Sequence, residues 1–251
     1  MTTLSTEEPP ATTTQPQPAT YRKLAIMVGV FFIIGTVAGA LSVVVGDRVL
    51  GEANVLGAAA ADETSLTAGA LLVLAMGFPL AMIPVLLYPL FRRDNQILAM
   101  GAVLFRGVLE AVAYMALAAL MFITAAVGRE YAAAGSPTDS YFDLWGGVLL
   151  EAMDWVEVLL AMVFSLGAMM LGWLFYRTRI IPRWLALWGF FGAILYFVAP
   201  LIVMFDIQNL ELSLTTPVGW LLGPLAIQEM LFAVWLIVKG FEKKPVQQLM
   251  Q

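Results

Sequence analysis

The chain has 251 residues and contains neither cysteine nor histidine. Disulfides, thiolate nucleophiles, Cys/His zinc centres, imidazole bases and axial haem ligation by His or Cys are therefore excluded. A serine nucleophile would lack its usual base. Gly-x-Ser-x-Gly, His-Glu-x-x-His and phosphate-loop motifs are also absent. No cofactor and no metal site are expected, and an enzyme is the less favoured reading. Any chemistry must come from carboxylates, Arg, Lys, Tyr, Ser or Thr.

Charge is scarce as well, at 12% of residues, against roughly 25% in soluble domains. No basic patch interleaved with aromatics suits nucleic acid. Hydrophobic residues make up 61% of the chain. They fall in runs long enough to cross about 30 Å of hydrocarbon as helix, without the period-two alternation of a transmembrane barrel. The fold class is all-α, a polytopic integral membrane protein that contacts the lipid bilayer.

Six spans are predicted, over about Leu24–Val45, Leu66–Phe91, Ile97–Val127, Leu144–Tyr176, Trp184–Phe205 and Val218–Val238. The first continues through Val43-Val44-Val45, past the 7–15 apolar residues of a signal-peptide core, so retention rather than cleavage is expected. The second carries Pro79, Pro84 and Pro89, which predict a kink or partial unwinding. The fourth is too long for one crossing and should protrude. Residues 1–20, rich in Thr, Pro and Gln, read as a disordered tail. Residues 21–242 form one transmembrane domain, and 243–251 a short second tail.

Basic residues collect at one end of the spans: Arg22, Lys23, Arg92, Arg93, Arg177, Arg179, Arg183, Lys239, Lys243 and Lys244. Only Arg48 and Arg129 lie at the other, with Asp47, Glu52, Asp62, Glu63, Glu130, Asp139, Asp206 and Glu211. The positive-inside rule then puts both termini in the cytoplasm of a cell carrying the chain in its cytoplasmic membrane. Gly35-x-x-x-Gly39 and Gly219-x-x-x-Gly223 permit close helix approach and leave homo-oligomerisation open.

The remaining ionisable residues lie inside apolar runs, where a charge normally faces the protein interior or a water-filled cavity. Taking 1.5 Å of rise per residue, Arg106 lies ~15 Å from the basic end of its span and Glu229 also ~15 Å from the end of its own. The pair should meet, directly or through Gln228 or water. Glu110, one turn beyond Arg106, is placed to share the guanidinium fork. Glu151, Asp154 and Glu157 form an acidic stripe near the opposite edge of the fourth span, ~28 Å or more from its basic end. They are expected at the mouth of an outward-facing cavity, or as a solvated helix face.

Several segments carry a family resemblance: Tyr21-Arg22-Lys23, Arg106 with Glu110, Pro182-Arg183-Trp184, and Gln228-Glu229 through Trp235-Leu236-Ile237-Val238-Lys239-Gly240-Phe241. In these the chain resembles a bacterial membrane family known as domain of unknown function 4386, over roughly residues 21–242. The resemblance implies the architecture and carries no activity.

Three functional readings stay open. In the first, the protein binds or transports a small charged or zwitterionic solute, linked to proton movement. Arg106 engages an anionic group, Glu110 or Glu229 carries the proton, Gln228 assists, and Asp154 and Glu157 stand at the outer entrance. In the second, it is a scaffold or accessory membrane subunit whose ion pairs are structural. The third, a carboxylate-based enzyme acting on lipid within the membrane, is the least supported.

Overall fold

The computed structural model describes residues 18–137, 140–205, 212 and 216–250. The expected disordered tail falls largely on residues 1–17, outside this range, as do Asp139, Asp206 and Glu211. The described part is helical, with α1 (Pro18–Leu50), α2 (Val55–Ala61), α3 (Glu63–Phe91), α4 (Gln96–Ala102), α5 (Glu110–Ala133), α6 (Ser140–Thr178), α7 (Arg183–Phe205), α8 (Gly219–Val238) and α9 (Lys243–Met250). A π-helical segment, Val103–Leu109, joins α4 to α5 without a break. Six helical stretches are long and apolar enough to cross a membrane, with α4, the π segment and α5 acting as one.

Local chemistry sets the helix starts. Asn54, Asp62 and Asn95 each accept a hydrogen bond from the backbone N–H three residues on, at 2.9 to 3.0 Å, and open α2, α3 and α4. These caps satisfy donors that a helix N-terminus leaves unpaired. At 39 residues α6 is ~58 Å long and extends well beyond a ~30 Å hydrocarbon layer, as its sequence predicts.

The unwinding expected from the prolines of the second span does not occur. α3 is helical from Glu63 to Phe91 through Pro79, Pro84 and Pro89. Each proline removes one backbone hydrogen bond, and α1 and α5, packed along α3, keep the helix in place.

The spans close into a ring. α3 packs between α1 and α5, α5 meets α6, α6 meets α7, α7 meets α8, and α8 returns to α1. In lipid the ring cannot rely on a hydrophobic drive between helices, so close packing at small residues holds it. Gly35 and Gly39 of α1 sit against Leu80 and Met76 of α3, where an added Cβ would come within 2.6 Å of either side chain. The first glycine pair is therefore consumed within the chain.

Arg22 fastens the last contact in the ring. Its guanidinium donates to the carbonyls of Leu236, Ile237 and Val238 at 3.1, 2.6 and 3.3 Å, capping the end of α8 from the start of α1. Gly240 follows at φ +77°, and a Cβ there would lie 2.9 Å from the Arg22 Nη1. Glu242 N–H then donates to the Ile180 carbonyl at 2.8 Å, and Phe241 and Val246 bury against the core. Arg177 of α6 meets Asp94 after α3, with Nη2–Oδ1 at 3.3 Å and Nε–Oδ2 at 3.0 Å. These contacts gather the basic residues at one end of the bundle. The residues after 242 are not simply a tail, since α9 packs against α3 and α6.

Candidate functional site

Four buried hydroxyl groups in the spans are satisfied by their own helix. Thr124, Ser165 and Thr178 donate to carbonyls four residues back, and Ser42 to one three back, at 2.5 to 2.9 Å. Such bonds cover the hydroxyl and create no site. Arg106 and Glu110 differ, because they are ionisable, buried at 1% and 0% exposure, and leave side-chain atoms without a well-formed hydrogen bond.

Arg106 points into the centre of the ring. Its Nη2 donates to Glu229 Oε1 at 2.6 Å, directly and without Gln228. A charge-assisted contact of this length belongs to the stronger class of hydrogen bond. The guanidinium also lies over the Phe164 ring at 4.2 Å and near the Phe32 ring at 5.7 Å. Aromatic faces attract cations, most of all where water is excluded. Four elements thus hold one cation: the π segment carries it, α8 supplies the carboxylate, and α6 and α1 supply the rings.

The π segment sets where the guanidinium sits. Glu110 N–H reaches back to the Phe105 carbonyl, a bond spanning five residues. A widened turn of this kind adds a residue to the helix and is frequent at functional sites. The segment lies hard against α6 at Gly167, where a Cβ would come within 2.6 Å of Arg106 Cβ and 2.7 Å of its backbone nitrogen. Only glycine lets the two helices approach so closely.

Glu110 does not share the guanidinium as α-helical spacing predicts. Among the described residues neither of its carboxylate oxygens makes a well-aligned hydrogen bond, nor does Arg106 Nη1, and the Tyr114 hydroxyl is the donor that lies near Glu110. The widened turn between the two residues changes their angular relation, so the fork meets Glu229 instead. Tyr114, a turn beyond Glu110, and Tyr196 of α7 lie within electrostatic reach of this group.

A cavity of about 40 Å³ borders the ion pair, lined by Arg106, Gln228, Glu229, Phe32, Phe175 and Phe232 among others. That is room for a few waters at roughly 10–15 Å³ each. Glu229 keeps 18% of its side chain exposed and is the more accessible member of the pair. Gln228 lines the same cavity but spends its amide on the Leu185 carbonyl, at 3.2 Å, tying α8 to α7.

The structure therefore brings Arg106, Glu229 and Gln228 to one cavity and sets Glu110 just beyond it. It does not bring Asp154 and Glu157 there. They are half-buried on α6, ~20 and ~15 Å along the helix from Gly167, and neither lines the cavity. Tyr196 is within electrostatic reach of both Glu229 and Glu157. Glu151 is exposed, as a solvated face requires. Among the described residues no cluster of three or more acidic side chains is placed to hold a metal ion.

Sequence reasoning missed Phe32, Phe164, Gly167, Tyr114 and Tyr196. Tyr114 was within reach, since Arg106, Glu110 and Tyr114 repeat every four residues. The others come from distant helices and carry no local signal.

Fold and site together define a multi-pass helical membrane protein with a charged centre enclosed by six spans. The chain belongs to the family described as Domain of unknown function (DUF4386), whose profile matches residues 27–240. Neither the curated proteins nor the solved structures compared with it contain a match.

Proposed function

We propose that this protein binds a small charged solute at the Arg106 centre and moves it across the membrane together with a proton. The observation that carries this reading is the incomplete pairing of the centre. One buried carboxylic group, Glu110, and one partly exposed one, Glu229, accompany a single buried guanidinium, and atoms on both Glu110 and Arg106 make no well-formed hydrogen bond among the described residues. A dry interior does not keep such groups charged and unpaired. A proton on Glu110 balances the charge, and an anionic group of the solute completes the guanidinium at Nη1. Gln228 and Glu229 line the cavity, and Tyr196 is within electrostatic reach of both Glu229 and Glu157. The cavity, at about 40 Å³, fits the resting, water-filled state of such a site. The protein sits in the cytoplasmic membrane with its basic end and both termini inside.

Purified protein in proteoliposomes holding a pH-sensitive dye tests this. Small organic anions and amino acids, supplied as gradients, should drive internal acidification or alkalinisation, abolished by Glu110→Gln and by Arg106→Gln. Solute-independent pH traces, identical in wild type and Glu110→Gln, would remove the reading.

One observation favours the alternative of an accessory membrane subunit. Arg106 is already held by Glu229, Phe164 and Phe32, which is the arrangement of a pin that fixes helix register. That reading predicts strong Arg106–Glu229 coupling in stability and no response to any solute.

A further inference from the structure

A second feature lies at the basic end of the ring, outside the charged centre. α7 and α8 part there to form a groove of about 240 Å³. Trp184 and Leu185 line it from α7, and Leu231, Val234 and Trp235 from α8, with Lys239 at its end. Trp184, Leu231 and Val234 are exposed at 55%, 44% and 53% on helices that cross the membrane, so the groove opens toward lipid. From Leu231 to Lys239 it runs ~12 Å along α8, most of the depth of one ~15 Å leaflet of hydrocarbon.

The two ends of the groove differ in chemistry. The inner stretch is aliphatic. The end at the membrane boundary carries the exposed Lys239 and Trp184, with Lys243 opening the next helix. Trp235 lines the groove as well, and its indole N–H is buried in the groove wall with no acceptor among the described residues. The nearby Leu185 carbonyl accepts from Gln228. An apolar trough ending in an exposed cation, with an unused N–H donor buried in its wall beside that end, complements a molecule with an acyl chain and an anionic, oxygen-rich head. Basic sites between membrane helices recognise anionic lipid head groups by this chemistry.

We propose that the α7–α8 groove is a binding seat for one anionic phospholipid. Its acyl chain lies along Leu231 and Val234, and its phosphate is engaged by Lys239 and by the Trp235 indole N–H after a small side-chain adjustment. The seat is independent of the Arg106 centre and of the solute proposed for it.

Native mass spectrometry of the full chain in detergent tests this, with phosphatidylglycerol and phosphatidylcholine of matched acyl chains added in turn. Wild type should retain phosphatidylglycerol over phosphatidylcholine by roughly fivefold, the preference one basic side chain confers near an anionic group. Lys239→Gln should bring the ratio close to one, and Trp235→Phe should lower it with Lys239 still in place. Leu231→Trp, at the exposed rim, should fill the trough and reduce retention of both lipids without touching the charged end. Equal retention of the two lipids by wild type overturns the proposal, as does a preference that survives Lys239→Gln and Trp235→Phe. So does a dimer mass that replaces lipid adducts and is abolished by Leu231→Trp, since the groove would then belong to a second copy of the chain.

Discussion

Arg106 concentrates the physics of this protein in one side chain. A guanidinium near the middle of a bilayer is tolerable only when its charge is answered, and here Glu229, Phe164 and Phe32 answer it. Its position depends equally on what is missing from Gly167. Gly167→Ala would drive a methyl group into the Arg106 backbone and push the π segment off α6. A loss of about 1–3 kcal/mol is expected for overpacking of this kind. A lower melting temperature in detergent, together with altered solute response, would register it. Unchanged melting would mean that α6 and the π segment have room for a methyl group between them. The depth of Arg106 and Glu229 was legible in the sequence because helix rise is constant, so two residues equally far from their span ends share a level. Phe164 and Gly167 were not, because they come from a segment some sixty residues away and only the ring brings them in.

Three helices, α2, α3 and α4, begin where a short polar residue supplies what the backbone lacks. Asp62 caps α3 from outside the span. Hydrogen bonds from Ser65, through its side chain and its backbone N–H, hold the Asp62 carboxyl below the usual carboxylate range, against weaker desolvation and with help from Arg48. A depressed folded-state pKa contributes stability above the unfolded value and loses it as pH falls through the folded one. Melting of wild type should therefore drop on acidification in that region. Asp62→Asn, which keeps a capping oxygen, should flatten the drop with little loss at neutral pH. An identical acid profile in the two proteins would remove the cap from the account. Caps of this type are readable from sequence, as Asn54, Asp62 and Asn95 each precede a helix. The π segment was not readable. A single extra residue in a turn leaves the apolar pattern of a uniformly hydrophobic span unaltered, and of the kink or partial unwinding that the prolines of α3 predict, the unwinding does not occur. α9 was missed because Lys243 to Met250 is too short and polar to signal a helix before Phe241 and Val246 dock it.

At the scale of the molecule, closure of the ring by α1 and α8 explains why segments at opposite ends of the chain belong together. Arg22 meets the carbonyls of Leu236 to Val238, and Phe32 meets Phe232 edge to face at 5.5 Å. The absence of cysteine makes the orientation directly testable, since a single introduced thiol is the only one present. Lys243→Cys should react with a membrane-impermeant maleimide only after the cells are opened, and Glu130→Cys in intact cells. The reverse pattern would invert the topology. The six spans and the basic end followed from composition and charge alone. Function did not, because a buried ion pair has the same sequence signature whether it pins helices or binds a solute.

That difference is measurable in one experiment: thermal melting of wild type, Arg106→Gln, Glu229→Gln and the double variant, with and without a panel of small anions and zwitterions. Either single change leaves a buried charge unpaired and should lose about 3–5 kcal/mol, with the double variant losing less than the two combined. At least one solute should in addition raise the melting temperature of wild type and of neither single variant. Strong coupling between the two residues with no solute-induced shift in wild type would contradict solute binding, and would make Arg106–Glu229 a structural pin.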